Sequence, residues 1–359
     1  MAPVVKALKE RGDITLTVCV TAQHRSMLDQ VLSVFKIDPD IDLNIMQPGQ
    51  TLSDITAKVL VEVSKVIKSV KPDWVLVHGD TTTAMAATVA AFYQKIPIGH
   101  VEAGLRTGNL TQPWPEEMNR QVIDLMTNLF FAPTEDAKSN LINEGVCEQK
   151  ILLTGNTVVD ALLGVVQRLT DETQFSDQFD SKFDFLDKKR KMVLVTGHRR
   201  ESFGSGFENL CEALRRLAYQ GNSQIVFPLH LNENVRRPVH CLLSNVNDIH
   251  LLEPQEYLPF IYLLNRCDLV ITDSGGIQEE APSLGKPVLV TRDVTERPEA
   301  VRAGVAKLVG TSADKIFAEA SGLLSDDSEC QRMSEITNPY GDGNAASRIV
   351  QGLVSFEKN

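Results

Sequence analysis

The sequence predicts an α/β protein built from two doubly wound domains. Short Val/Ile/Leu-rich runs alternate with longer helical patterns, and most runs end in a small or polar residue, the rhythm of parallel sheets covered by helices. The chain has 359 residues, enough for two domains at roughly 150 residues each. With 43% hydrophobic and 23% charged residues the periodic segments are expected to pack rather than stay disordered.

Taken in order, residues 2–9 read as a helix with Pro3 in its first turn and Val4, Val5 and Leu8 on one face. A doubly wound domain normally opens on the strand that becomes the middle of its sheet, so this start reads as one strand late. Strand candidates in the first half are 14–20, 74–78, 96–101, 129–132 and 151–154; in the second half they are 192–196, 224–228, 249–252, 269–272 and 287–291. A polar stretch at 171–190 without strand pattern lies between them, and the division is expected there or just before it, as domains 1–168 and 169–342. The run Lys188-Lys189-Arg190-Lys191 reads as a solvated flank of the strand that follows.

Acidic residues outnumber basic ones 47 to 36, a net charge of −11, so the overall field repels nucleic acid and anionic membrane, and any anionic ligand needs a local site. Neither nucleic acid nor membrane is an expected partner. The cysteines (Cys19, Cys147, Cys211, Cys241, Cys267, Cys330) form no C-x-x-C pair, which suits a reducing, cytoplasmic setting. No apolar run reaches about 18 residues and no signal-peptide pattern opens the chain. The histidines form no H-E-x-x-H or comparable cluster, so no metal site is read.

The chemistry sits where strands end and helices begin, the crevice at which open parallel sheets bind ligands. In His78-Gly79-Asp80-Thr81-Thr82-Thr83, Asp80 either caps the Ala-rich helix that follows or presents a carboxylate at the strand end. In His100-Val101-Glu102-Ala103-Gly104-Leu105-Arg106 a Glu follows a buried strand, and Arg106 has a structural salt bridge as its competing use. Pro113-Trp114-Pro115-Glu116-Glu117-Met118-Asn119-Arg120 starts a helix whose four-residue spacing puts Glu116 and Arg120 on one face, as an ordinary helix pair also does.

The second half carries two phosphate-compatible loops. Thr196-Gly197-His198-Arg199-Arg200-Glu201 follows an apolar strand, and a glycine-rich turn with His198, Arg199 and Arg200 suits a phosphate-bearing ligand; a capping loop with exposed arginines is the alternative. In Thr272-Asp273-Ser274-Gly275-Gly276-Ile277-Gln278-Glu279-Glu280 two glycines open a helix N-terminus to an anion, while Glu280, a turn along, is placed to receive two ribose hydroxyls. Arg292, Glu296 and Arg297 follow the next strand.

Together with Thr154-Gly155-Asn156, these motifs resemble, in order from Met1 to about Val354, the non-hydrolysing UDP-N-acetylglucosamine 2-epimerases of bacteria. The resemblance implies a GT-B type fold, two doubly wound Rossmann-like domains with a cleft between them and a C-terminal helix at about 343–359 returning to the first. It implies Ser274, Gly275 and Gly276 as a diphosphate cradle, Glu280 as ribose ligand, Gln255 and Phe260 at the uracil, and His198 and Arg297 at the phosphates. Asp80, Glu102, Glu116 and Arg120, with His198, match the catalytic group. The expected partners are UDP-N-acetylglucosamine, UDP-N-acetylmannosamine and a second copy of the chain; no cofactor is implied. Gln23, His24, Gln47 and His230 resemble the lining of an activating nucleotide-sugar site. The family's first strand and its Gly-Thr-Arg-Pro-Glu turn have no counterpart here, which implies unpaired strand edges and low activity.

The family's chemistry explains this residue set. The hydrogen on carbon 2 is not acidic until the anomeric bond to UDP breaks and positive charge develops next door. Loss of that proton gives 2-acetamidoglucal, and inversion needs acid/base groups on both faces of the sugar. Cations must grip the departing diphosphate. The competing readings are a GT-B glycosyltransferase, a hydrolysing 2-epimerase and an inactive nucleotide-sugar binder. An NAD-dependent sugar epimerase would need a G-x-x-G-x-x-G turn and a Y-x-x-x-K pair, and neither occurs.

Overall fold

The computed structural model describes residues 1–22, 25–47, 49–199 and 203–356. It separates into two units, Met1–Ala161 with Tyr340–Asn359, and Leu162–Pro339.

In the first unit α1 (Ala2–Lys9) buries Val4, Val5 and Leu8, the face its apolar spacing dictates. β1 (Cys19–Val20), α2 (Arg25–Val34) and β2 (Ile41–Asp42) follow, with β1 and β2 paired in parallel. α3 (Leu52–Val70) begins at a capping box formed by Thr51 and Asp54. β3 (Val75–His78), α4 (Thr82–Tyr93), β4 (Ile98–Val101), α5 (Glu116–Met126), β5 (Leu129–Ala132), α6 (Glu135–Asn143) and β6 (Ile151–Leu153) then build a parallel sheet in chain order. α4 packs on both α3 and α5, which explains why its Ala-rich sequence is apolar on every side. α7 (Thr157–Asp171) carries the chain into the second unit.

The second unit continues with α8 (Thr173–Lys182), β7 (Lys191–Thr196), α9 (Ser205–Tyr219), β8 (Ser223–Pro228), α10 (Glu233–Leu243), β9 (Ile249–Leu252), α11 (Tyr257–Arg266) and β10 (Leu269–Thr272). It is completed by α12 (Gly275–Ser283), β11 (Val288–Val290), α13 (Pro298–Ala303), β12 (Ala306–Leu308), α14 (Ala313–Ser325) and α15 (Asp327–Ser334). Its parallel sheet runs β9-β8-β7-β10-β11-β12, the doubly wound order in which the first strand is central and the winding reverses beside it, here between β7 and β10. α16 (Ala345–Ser355) belongs to the first unit, where Ala346, Ile349 and Val350 join Val4, Leu8, Val101, Leu129 and Phe131 in one apolar cluster.

Two expectations need correction. The strand read at 14–20 shrinks to Cys19–Val20, because only those two residues meet a neighbouring strand; Val18 instead donates its N–H to the Asp40 carboxylate and accepts from the Asp40 and Ile41 N–H groups. The stretch at 171–190 is not merely a linker, since α8 buries Phe179. The charge run at 188–191 is the solvated flank of β7 it was read as, with Lys188 and Lys189 exposed, and surface pairs join Lys188 to Asp180 and Arg190 to Asp248. β2 and β12 escaped the sequence reading. Both are too short for a periodic signal, and β12 is an edge strand interrupted by Lys307. Among the described residues β1 pairs only with β2, and β3 only with β4.

Gly104, after β4, has φ +85°, and a Cβ there would lie 2.3 Å from the Ala137 carbonyl oxygen. Gly104→Ala combines a left-handed backbone with a backbone clash, so it is expected to cost about 2–4 kcal/mol. The shift in denaturant midpoint measures it; an unchanged midpoint would show that the loop yields freely.

Candidate active site

In the second unit the site follows from topology. β7 and β10 flank the reversal of winding, and the hydroxyls of their last residues, Thr196 and Thr272, lie 2.6 Å apart. The loops leaving both strands therefore open side by side at the edge where such sheets bind ligands. Asp273, whose side chain is 1% exposed, ties them together: one oxygen accepts the N–H groups of His198 (2.9 Å) and Arg199 (2.8 Å), and the other lies 3.2 Å from His198 Nδ1. Burial alone pushes this carboxyl up, but the His198 ring and the two N–H groups outweigh it and hold it below the usual range.

Ser274 caps α12 without a side-chain bond of its own, its N–H resting on the Thr272 hydroxyl at 2.9 Å. A Cβ at Gly276 would meet nothing within 4 Å, so ground beside the first turn of α12 is open, while Arg199 Nη2 and Glu296 Oε2 each lie 3.8 Å from the Cβ position of Gly275. Glu296 is shared by Arg199 at 3.4 Å and Arg292 at 3.5 Å. Arg297 pairs with the buried Glu279. Gln278, fully buried, spans from the Ser274 carbonyl to the Thr295 hydroxyl. Gln255 donates to the Glu253 carbonyl at 2.6 Å, and Phe260 is half-buried on α11. His230 is exposed, its ring stacked 5.7 Å from that of His198.

In the first unit the site is built on side chains. Asp80 does not cap α4; Thr81 does, accepting the Ala84 N–H. The Asp80 carboxylate instead meets Arg120 Nη2 at 2.5 Å, and its carbonyl accepts from Asn119 Nδ2 at 2.9 Å. Glu102 takes φ +68° at the end of β4, a conformation rare outside glycine, and this puts its carboxylate 3.1 Å from His78 Nε2. Loss of hydration pulls the His78 pKa below its ordinary value. Gly79 fits beside Glu102, with 3.5 Å between its Cβ position and Glu102 Oε2, so the Asp80 turn and Glu102 are neighbours.

The expected pairing of Glu116 with Arg120 is not the one formed. Arg120 Nη1 lies 3.2 Å from Glu117, three residues back, and Glu116 has no partner among the described residues. The helix turns Glu117 inward because a loop supplies it with N–H donors, whereas Glu116 keeps access to solvent. Arg106 proves structural, joining Asp124 and Glu144 at 2.7 Å each. Asp124 also meets His100 Nδ1 at 2.6 Å, and His100 Nε2 meets the Gly79 carbonyl at 2.9 Å. Glu117, Asp124 and Asp273 are the site-building residues to which the sequence reading gave no role. For Asp273 the signal was a carboxylate directly after an apolar strand and for Glu117 one in a helix's first turn, whereas Asp124, in the third turn of α5, carried no local signal. Of the residues read as a second site, Gln47 lies in the loop before α3, its N–H on Gln50, while Gln23 and His24 fall outside the described residues.

A family profile described as UDP-N-acetylglucosamine 2-epimerase matches residues 6–354. The chain belongs to the UDP-N-acetylglucosamine 2-epimerase family. It is 54% identical over 357 residues to the UDP-N-acetylglucosamine 2-epimerase of Salmonella typhimurium, covering 99% of this chain and 95% of the relative. The Escherichia coli K12 enzyme is 55% identical over 354 residues, covering 98% and 94%. A crystal structure of the Neisseria meningitidis 2-epimerase bound to UDP-GlcNAc superposes with TM-score 0.90 at 51% identity, covering 99% of this chain and 96% of that one. The Methanocaldococcus jannaschii 2-epimerase in complex with UDP-GlcNAc and UDP gives 0.79 at 33%, covering 98% and 95%. The 2-epimerase fold, GT-B like and built here on parallel sheets covered by helices, is thus shared across this range.

One electrostatic feature of this 2-epimerase chain is measurable directly. Glu280 on α12 is 9% exposed, and burial, followed by the neighbouring charge of Glu279, pushes its carboxyl up to about 7. Burial and then the Glu280 charge push the Tyr257 phenol up as well. A carboxyl raised from 4.5 holds its proton longer in the folded state, so its contribution to stability is present in full below pH 4.5 and lost as the pH rises through about 7. The loss is about 3 kcal/mol. Glu280→Gln is therefore expected to be more stable than the parent at pH 8 and to lose that advantage near pH 4.5, as read from melting across the range. An advantage independent of pH would contradict the buried-carboxyl account.

Proposed function

We infer that this chain interconverts UDP-N-acetylglucosamine and UDP-N-acetylmannosamine by eliminating UDP and adding it back after inversion at carbon 2. The observation that carries the reading is the co-occurrence of two devices: an anion cradle where the second unit's winding reverses, and the neighbouring Asp80 and Glu102 carboxylates at strand ends of the first. The full-length similarity to enzymes named for this substrate supports it.

The roles follow from charge. As the anomeric bond breaks, negative charge grows on the leaving diphosphate. The N–H groups of the first turn of α12 at Ser274, Gly275 and Gly276, with His198 and Arg297, grip it harder at that moment. Arg199 lies at the same helix end and adds a cation there. Glu280 takes the ribose, and Gln255 and Phe260 the uracil. Asp80, Glu102 and Glu116 supply the proton transfers at carbon 2, with Arg120 fixing Asp80. One proton leaves carbon 2 and another is added at its opposite face, and one carbon–oxygen bond breaks and re-forms, with no net redox change, so the route calls for no cofactor.

The reading extends to setting. The described cysteines are all free, which supports a reducing cytoplasm. Phe92, Tyr93 and Leu125, exposed on α4 and α5, support a homodimer. Gln23, His24, Gln47 and His230 are proposed to bind a second, activating nucleotide-sugar.

In deuterium oxide the product should gain one deuterium at carbon 2, detected by mass spectrometry and proton NMR; product formed without label would overturn the elimination route. Asp80→Asn, Glu102→Gln and Glu116→Gln should each lower turnover by about two to four orders of magnitude with UDP binding retained. Glu280→Ala should instead weaken UDP binding, and equal loss of UDP affinity in all four would contradict the division of labour.

A further inference from the structure

Glu117 is fully buried one residue into α5. A carboxylate out of water is costly unless its oxygens are satisfied, and these are. Oε2 accepts the Thr107 N–H at 3.1 Å and lies 3.2 Å from Arg120 Nη1; Oε1 accepts the Gly108 N–H at 3.2 Å and Gln121 Nε2 at 3.0 Å. The guanidinium it holds reaches across with Nη2 to Asp80 at 2.5 Å, while Nε has no partner. Arg120 is thus suspended between two carboxylates, one structural and buried, the other at the strand end. An acid placed only to favour the positive end of a helix would need neither full burial nor a loop bound to it.

The planar fork of arginine explains what the arrangement does. Left with Asp80 alone, a guanidinium is free to turn and bind both oxygens of that carboxylate, the geometry it prefers. Anchored at Nη1 by Glu117, it offers Asp80 a single N–H. The second Asp80 oxygen then stays available for a proton. The same anchor fastens the 107–108 segment to the helix that carries Arg120.

We propose that Glu117 is a positioning residue for the epimerisation: it sets the orientation of Arg120 so that Asp80 is contacted at one oxygen, and it clamps the 107–108 loop. This rests on the reading that Asp80 takes part in proton transfer. Glu117 acts through Arg120, so its loss should slow chemistry and leave nucleotide binding alone.

The test uses the full chain with UDP-N-acetylglucosamine as substrate and UDP as ligand. Glu117→Gln cannot accept all of these donors, and a misplacement of about 1 Å near the reacting groups costs on the order of a hundredfold. Its kcat is expected to fall about 10- to 100-fold, with KM and the UDP dissociation constant each within about threefold of the parent. Glu117→Asp keeps the charge in the pocket, guarding against misfolding, and should lose about tenfold in kcat because its carboxylate is one methylene too short. The double variant Glu117→Gln/Arg120→Gln should be no slower than Arg120→Gln alone. Parental kcat in either folded single variant, additive losses in the double variant, or a loss shared equally by UDP binding would each overturn the role of Glu117 while leaving the proposed function intact. A parent chain that does not turn over UDP-N-acetylglucosamine would overturn the proposed function and this role with it.

Discussion

The first unit's site depends on one unusual helix face. α5 buries Glu117, Asn119, Arg120 and Asp124 beside a single apolar residue, Ile123, where a surface helix ordinarily buries hydrocarbon. Each of these polar groups is tied to a segment outside the helix: Glu117 to the 107–108 loop, Asn119 and Arg120 to Asp80, and Asp124 to His100, the Gly104 N–H and Arg106. Unpaired, such groups would cost about 1–3 kcal/mol apiece. Paired, they give the segments after β3 and β4 fixed positions that apolar packing, which is indifferent to direction, does not give. β3 and β4 are four residues each, so the strands alone do little to hold the turns at their ends.

The second unit reaches a comparable precision by another route. Its loops are placed by the reversal of winding between β7 and β10, and one buried carboxylate, Asp273, locks them. Backbone N–H groups do the anion binding proposed there, so glycine at 275 and 276 matters through the side chains it lacks. The two devices suit their assigned work. A diphosphate asks for a rigid positive cradle, whereas proton transfer asks for carboxylates held at chosen angles and partly open to a substrate.

Legibility in the sequence followed the same division. The second unit's strand ends and the loops after them could be read almost directly, because apolar strands such as 192–196 and 269–272 end abruptly in Gly-His-Arg and Asp-Ser-Gly-Gly, and turn chemistry is local; the tie that Asp273 makes between the two loops was not visible. In the first unit the residue types were visible but their partners were not. Asp80 stands before three threonines, all able to cap a helix, and only packing decides that Thr81 does so. Glu116 and Glu117 share a first helical turn, and which one faces inward depends on a loop ten residues earlier in the chain. Arg106 looked equally suited to ligand or scaffold until Asp124, eighteen residues on, claimed it. The short strands at 41–42 and 306–308 are defined by pairing rather than pattern, so no periodicity announces them, and pairing likewise cuts the strand pattern at 14–20 down to 19–20.

If the buried face of α5 is what holds the first site together, its clamp on the 107–108 loop should be visible without any mutation. Residue-resolved amide hydrogen exchange of the native chain measures it directly. The N–H groups of Thr107 and Gly108, both bound to Glu117, should exchange at least about a thousandfold more slowly than that of the exposed Leu110 in the same loop. Equal exchange at all three positions would mean that the loop opens freely, and the account of α5 as the element that fixes the site would be contradicted.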